Sequence, residues 1–298
     1  MEVGQARLRA FTVSASTFRR LAYAALALLF LIVVSGATVR LTASGLGCEN
    51  WPRCGDTFLP AKDFHALVEF GNRAVGFVVG LVTLAAAVAA WRVGNLPRWL
   101  VLTVWALPVT VLLQGVLGGI TVLVELHPLT VMAHFLLSLV ALGLAVVVVV
   151  GARSATARPH PSGLAWPALA LVPSALVLVV TGTLVTAAGP HSGGEDIRRF
   201  GDLVDMLHVH IGATAVFGVG FLFLIAPIVA RRGEARVELG LGLGVLGLLL
   251  VQMTIGELQW RTELAWGLVL VHVALGTAVF AGVVALAARL ALRPTNPS

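Results

Sequence analysis

Eight separate apolar runs, each long enough to cross a bilayer as a helix, dominate this sequence and leave little choice of fold. Their approximate limits are 21–40, 66–90, 99–122, 128–151, 165–187, 203–229, 236–256 and 264–288. About 20 apolar residues carry a helix through the hydrocarbon layer. Lipid accepts only helices or closed barrels, because every backbone N–H and C=O must be satisfied internally. The runs lack the alternation of a barrel strand, so helices are expected. The chain is 58% hydrophobic and 11% charged, whereas a soluble domain carries about 25% charged residues. The first run is read as a span and not as a cleaved leader.

The net charge of +6 does not indicate a nucleic-acid partner, because the arginines sit in short clusters between the apolar runs. Arg19-Arg20, Arg92 with Arg98, Arg153 with Arg158, Arg231-Arg232 and Arg289 with Arg293 fall on one side of the expected bundle. The positive-inside rule then places both termini in the cytoplasm.

The two halves of the chain resemble each other. Gln114 and Gly118 match Gln252 and Gly256, and His134 matches His272, all at a spacing of 138. Gly36–Gly45 (GATVRLTASG) resembles Gly182–Gly189 (GTLVTAAG). Glu69 aligns with Asp205 and Asn72 with His208 at a spacing of 136. With four spans per copy, both copies face the same way, a parallel repeat about an axis along the membrane normal. The expected organisation is an N-terminal four-helix half (1–152), a polar cytoplasmic linker (153–164) and a C-terminal four-helix half (165–298).

Ionisable residues inside spans are costly and mark function. His134, His208, His210 and His272 lie one to two turns inside the outer ends of their helices, at one depth. Two helices that offer imidazoles at one level can hold a haem iron from both faces. The repeat points to His208 with His272. His210, two residues on and about 200° around the helix, is the fallback ligand. A plain interhelical hydrogen bond is the competing role for each. His65, His127 and His191 belong to the outer rim or to solvent, and His160 lies in the linker without an expected role.

Leu41–Gly55 (LTASGLGCENWPRCG), Glu69-Phe-Gly-Asn-Arg73, Gln114–Leu123 (QGVLGGITVL), His134-Phe, Thr181–Gly193 (TGTLVTAAGPHSG) and the histidines of the sixth and eighth runs together resemble the heme A synthase family. The resemblance extends over essentially the whole chain. It implies a multi-pass plasma-membrane oxidoreductase that converts haem O to haem A by successive hydroxylation of one ring methyl to a formyl group, for aa3-type terminal oxidases. It implies a b-type haem on His208 and His272 as cofactor, and substrate haem O in the first half near Glu69, with His134 on its iron. Haem O synthase and terminal-oxidase assembly are the implied partners, and a homo-oligomer stays open. One position departs from the family pattern: many members carry histidine where this chain has Asn72, a poor iron ligand. His134 is then the sole expected iron ligand of that half unless His65, on the same helical face as Glu69, compensates.

Glu69 is the expected catalytic group, for proton transfer or for stabilising positive charge as the methyl is oxidised. A salt bridge to Arg73, four residues on, is compatible with that role. Arg73 is the alternative anchor for a haem propionate. Cys48 and Cys54 are expected as a disulfide in an outer, oxidising loop, structural or redox-active. Two other classes compete. A quinone-linked cytochrome b would use the histidines without Glu69. A secondary transporter would carry its polar groups nearer the midplane.

Overall fold

Polar caps extend the helices beyond their apolar runs. The computed structural model describes residues 12–48, 50–153, 157–159, 163–191, 193, 197 and 199–294. Among these, eight long helices follow in chain order: α1 (Ala15–Leu41), α2 (Phe64–Arg92), α3 (Arg98–Leu123), α4 (Pro128–Arg153), α5 (Ala165–Ala188), α6 (Leu203–Ala230), α7 (Arg236–Arg261) and α8 (Trp266–Ala291). The first begins earlier than its apolar run because Ser14 accepts a hydrogen bond from the Thr17 N–H and caps it. Asp63 caps α2 and Asp202 caps α6 in the same way, each through two backbone N–H groups. The seventh continues to Arg261, where Glu257 and Arg261 pair at 2.6 Å one turn apart.

All eight helices are long and apolar enough to cross a membrane. Large apolar side chains such as Phe77, Leu112, Val216 and Phe223 point outward and exposed. A water-soluble domain would not present so many together, and lipid is the solvent that accepts them. This is an all-helical integral membrane protein.

In the first half α1 packs on α2 and α4, and α3 packs on α2 and α4. In the second, α5 packs on α6 and α8, and α7 packs closely on α8 and lightly on α6. The halves meet where α8 lies against α4 and α1. Small residues of α4 allow the close approach there: Phe280 and Val284 of α8 lie 3.6 and 3.8 Å from the Cβ position of Gly143, beside the buried Ala141 and Ala145. The linker is less free than its composition suggests. Ala157–Pro159 pairs antiparallel with Leu292–Pro294, just beyond α8. Residues 154–156 and 160–162, including His160, lie outside the described residues.

Candidate functional site

His134 of α4 and His272 of α8 stand in matching surroundings. A methyl group added at Gly118 of α3 would lie 3.1 Å from His134 Cε1, and one added at Gly256 of α7 would lie 3.1 Å from His272 Cε1. Each ring therefore needs a helix without a side chain behind it. Gln114 donates from Nε2 to the His134 carbonyl at 2.9 Å, and Gln252 does the same to His272 at 3.0 Å. The turns between these helix pairs also match, with positive φ at Glu125 and Leu126 in one and at Glu263 and Leu264 in the other. The Nδ1 atoms of both histidines are buried without a hydrogen-bond partner.

The helix opposite α8 presents His210, not His208. The rings of His210 and His272 meet in a T-shaped arrangement, 6.5 Å between centres and 71° between their planes. Two imidazoles bound to one iron at about 2 Å each place their centres roughly 6 Å apart, so this pair fits a single metal atom between them. His208 is exposed on another face of α6. The residue brought beside His272 is thus His210, the fallback of the sequence reading, in place of the expected His208. The physical reason is the 200° separation of positions i and i+2 on a helix: only one of the two can face the pocket.

Glycine again backs the chosen ring, since a methyl at Gly182 of α5 would come 3.2 Å from His210 Cε1. Beside it, Thr181 Oγ1 lies 3.0 Å from His210 Nδ1 and donates its proton to the Leu178 carbonyl at 2.8 Å. With that proton committed, the hydroxyl accepts from His210 Nδ1–H. Nε2 is then left unprotonated, the form that binds iron.

These contacts favour a different register for the expected repeat. In the first half Ser35 donates to Asn72 Oδ1 at 2.7 Å, and Gly36 is backed onto the same Asn72 oxygen. Ser35-Gly36 with Asn72 thus corresponds to Thr181-Gly182 with His210. The α2–α6 spacing becomes 138, the value that already holds for α3–α7 and α4–α8. In that register Asn72 aligns with His210. In it Glu69 aligns with Leu207, and Asp205, the match expected from a spacing of 136, is an exposed residue in the first turn of α6.

Glu69 is buried at 5% exposure, and both its carboxylate oxygens are engaged. One accepts from the Cys48 N–H at 2.7 Å and the other from Arg73 Nη2 at 2.6 Å. Arg73 also donates to the carbonyls of Cys48 and Arg53. Cys48 and Cys54 form the expected disulfide. The pair Glu69–Arg73 therefore holds the disulfide loop onto the end of α2. Trp51, within that loop, packs its indole onto Gly119 of α3, where a Cβ would come within 3 Å of three ring atoms. Gly119 adjoins Gly118, so the loop covers the helix turn that backs His134. Three of the five N–H donors of Arg73 go to this clamp.

His65 does not replace the missing ligand. Its Nδ1 lies 2.9 Å from the buried Ser44 hydroxyl, and it stands seven residues outward of Asn72, about 10 Å along the helix. His127 is exposed. His191 has a role that spacing did not reveal. Its Nε2 donates to the Leu264 carbonyl at 2.7 Å, while its own carbonyl accepts from Arg40 Nε at 3.0 Å. Thr181, Ser35 and the Arg40–His191–Leu264 chain are the site features that sequence reading missed. The first two had a signal in the likeness of GATVRLTASG to GTLVTAAG, since each precedes the glycine that opens it.

Comparison with known proteins agrees with this architecture. The chain matches the COX15-CtaA family, described as "Cytochrome oxidase assembly protein", over residues 19–65 and 59–284. It is 31% identical over 259 residues to the "Heme A synthase" of Symbiobacterium thermophilum, covering 80% of this chain and 84% of that protein. It is 32% identical over 118 residues to the "Heme A synthase" of Bacillus licheniformis, 38% of that protein's length. A shorter stretch of 63 residues is 35% identical to part of the "Protoheme IX farnesyltransferase" of Halobacterium salinarum, 14% of its length. With the family match running from the first helix into the eighth, the chain belongs to the COX15-CtaA family of cytochrome oxidase assembly proteins.

Proposed function

We propose that this chain is a heme A synthase, an oxidoreductase that converts haem O to haem A by oxidising one ring methyl through successive hydroxylations to a formyl group. The observation that carries the reading is a pair of similarly built sites with unequal contents. His210 with His272 is complete as a two-nitrogen iron site. The corresponding first-half site has His134, and Asn72 where the second histidine would be. An iron held from both faces by protein has no open position, which suits a fixed electron-carrying cofactor. An iron with one protein ligand suits a substrate that must enter and leave.

On this reading the C-terminal half (165–298) holds a b-type haem through His210 and His272, which supplies one-electron transfer when bound. Thr181 keeps His210 in its ligating tautomer. The N-terminal half (1–152) receives haem O at His134, and Glu69 lies one turn outward of Asn72, at the edge of the pocket, as the catalytic carboxylate. The halves form a parallel repeat joined by the linker at 153–164. Both termini face the cytoplasm and the Cys48–Cys54 loop faces outward in the plasma membrane; the arginine distribution supports this orientation. The short likeness to a farnesyltransferase of protohaem supports a haem O-producing enzyme as the upstream partner, with an aa3-type oxidase as consumer.

Incubating the purified protein with haem O and reductant under air, then extracting and weighing the haems, tests the reading directly. Formyl-bearing haem A is the expected product. Unchanged haem O beside an intact b-type spectrum would favour the electron-transferring cytochrome b instead. Thr181→Val, which cannot accept from His210 Nδ1–H, is expected to lower b-haem retention about tenfold or more, read as haem per protein after dilution.

A further inference from the structure

Arg40 lies in the last turn of α1. It is four residues beyond Gly36 and so on the same helical face, one turn outward of the point where α1 backs Asn72. It is half-buried, and Nε donates to the His191 carbonyl of the opposite half at 3.0 Å. Among the described residues its Nη1 and Nη2 make no hydrogen bond and no carboxylate pairs with it. A guanidinium carries five N–H donors in a planar fork, and the described residues take up one of them. Leaving such a charge partly out of water without an anion is costly. The cost is more telling because Arg73, the other arginine near this pocket, already has its partners in Glu69 and the loop carbonyls.

Snorkelling to a lipid phosphate is the ordinary fate of an arginine at a helix end. Here the side chain turns the other way. Its stem lies 3.7 Å from the Cβ position of Gly193, and its Nε bond is made to the segment after α5. His191 is itself fastened to Leu264 in the α7–α8 turn at 2.7 Å. The fork is thus held at the seam of the two halves, one turn above the level of the first-half site.

We propose that Arg40 binds a propionate carboxylate of the substrate haem, with His191 and Leu264 holding the guanidinium in place. The proposal rests on the first half being the haem O site. A haem has its two propionates on one edge, so an anchor one turn outward of the iron level orients the macrocycle with that edge toward the outer surface. The opposite edge is then turned inward.

Titrating the purified, b-haem-loaded protein with haem O and with haem O dimethyl ester, followed by the change in Soret absorption, tests the proposal. The wild type is expected to bind the free acid about ten- to a hundredfold more tightly than the ester, the range for a charge-assisted bidentate contact. Arg40→Gln abolishes that preference by weakening the acid alone, Arg40→Lys retains part of it, and the b-type spectrum stays unchanged in both. Equal weakening of acid and ester, or an undiminished preference in Arg40→Gln, overturns the proposal. So does an Arg40→Gln protein with both haem affinities intact that has lost only co-purifying anionic lipid. Wild type that binds both forms equally overturns the role of Arg40 alone. Wild type that binds neither overturns the substrate-half reading together with it.

Discussion

His210→Ala removes the low-spin b-type absorption of the purified protein, and His208→Ala leaves it in place. The two residues are separated by one position, so lipid depth, helix propensity and local composition are the same for both. Only direction differs. His210 meets His272 at 6.5 Å with Thr181 on its Nδ1, whereas His208 is exposed on another side of α6. Without His210 a bound haem would be held by a single imidazole, so haem per protein is expected to fall from about one to near zero, as with His272→Ala. Pyridine haemochrome analysis gives the ratio, and the reduced-minus-oxidised spectrum gives the spin state. The reverse result, with His208→Ala colourless and His210→Ala red, would remove the favoured register along with the ligand assignment.

The eight spans were legible because lipid imposes a demand that any sequence must meet in the same way: long apolar runs with charges at their ends. The register between α2 and α6 was not legible, for a related reason. A helix apolar on every side has no stripe to show which face looks inward. Matching Glu69 to Asp205 then supplied a chemically plausible alignment, two residues away from the one the contacts favour. The glycines carry the missing information. Gly118, Gly182 and Gly256 each stand behind a pocket imidazole, and a glycine on the neighbouring helix marks the inward face where hydrophobicity cannot. The arginines show the opposite failure. Glu69 and Arg73 are four residues apart and their pairing was expected, but that Arg73 also ties down the disulfide loop is seen only in its bonds to the carbonyls of Cys48 and Arg53. Arg40 meets His191 across 151 residues, and no local spacing predicts such a contact.

Glu69→Gln is expected to reduce conversion of haem O to haem A by at least about a hundredfold, the lower range for loss of a positioned acid–base group. The b-type spectrum and the Cys48–Cys54 bond are expected to remain. Glutamine is the informative replacement because it separates charge from shape. Its amide oxygen can still accept from the Cys48 N–H, which now reaches a carboxylate oxygen at 2.7 Å. Its amide nitrogen, though, meets Arg73 donor to donor, so the loop loses one of its ties while the two bonds from Arg73 to backbone carbonyls persist. Glu69→Ala goes further and strands the buried Cys48 N–H, at a cost of about 1–3 kcal/mol that loosens the loop and Trp51 with it. Glu69→Asp keeps the charge, but its shorter side chain cannot span both partners at once. If the carboxylate acts on the reacting methyl, Gln and Ala are alike in lost conversion and differ only in loop stability, read by proteolysis between Cys48 and Cys54. If Glu69 is only the clamp beneath the disulfide loop, activity follows loop order instead: Gln retains most of it and Ala loses it, and the catalytic assignment falls.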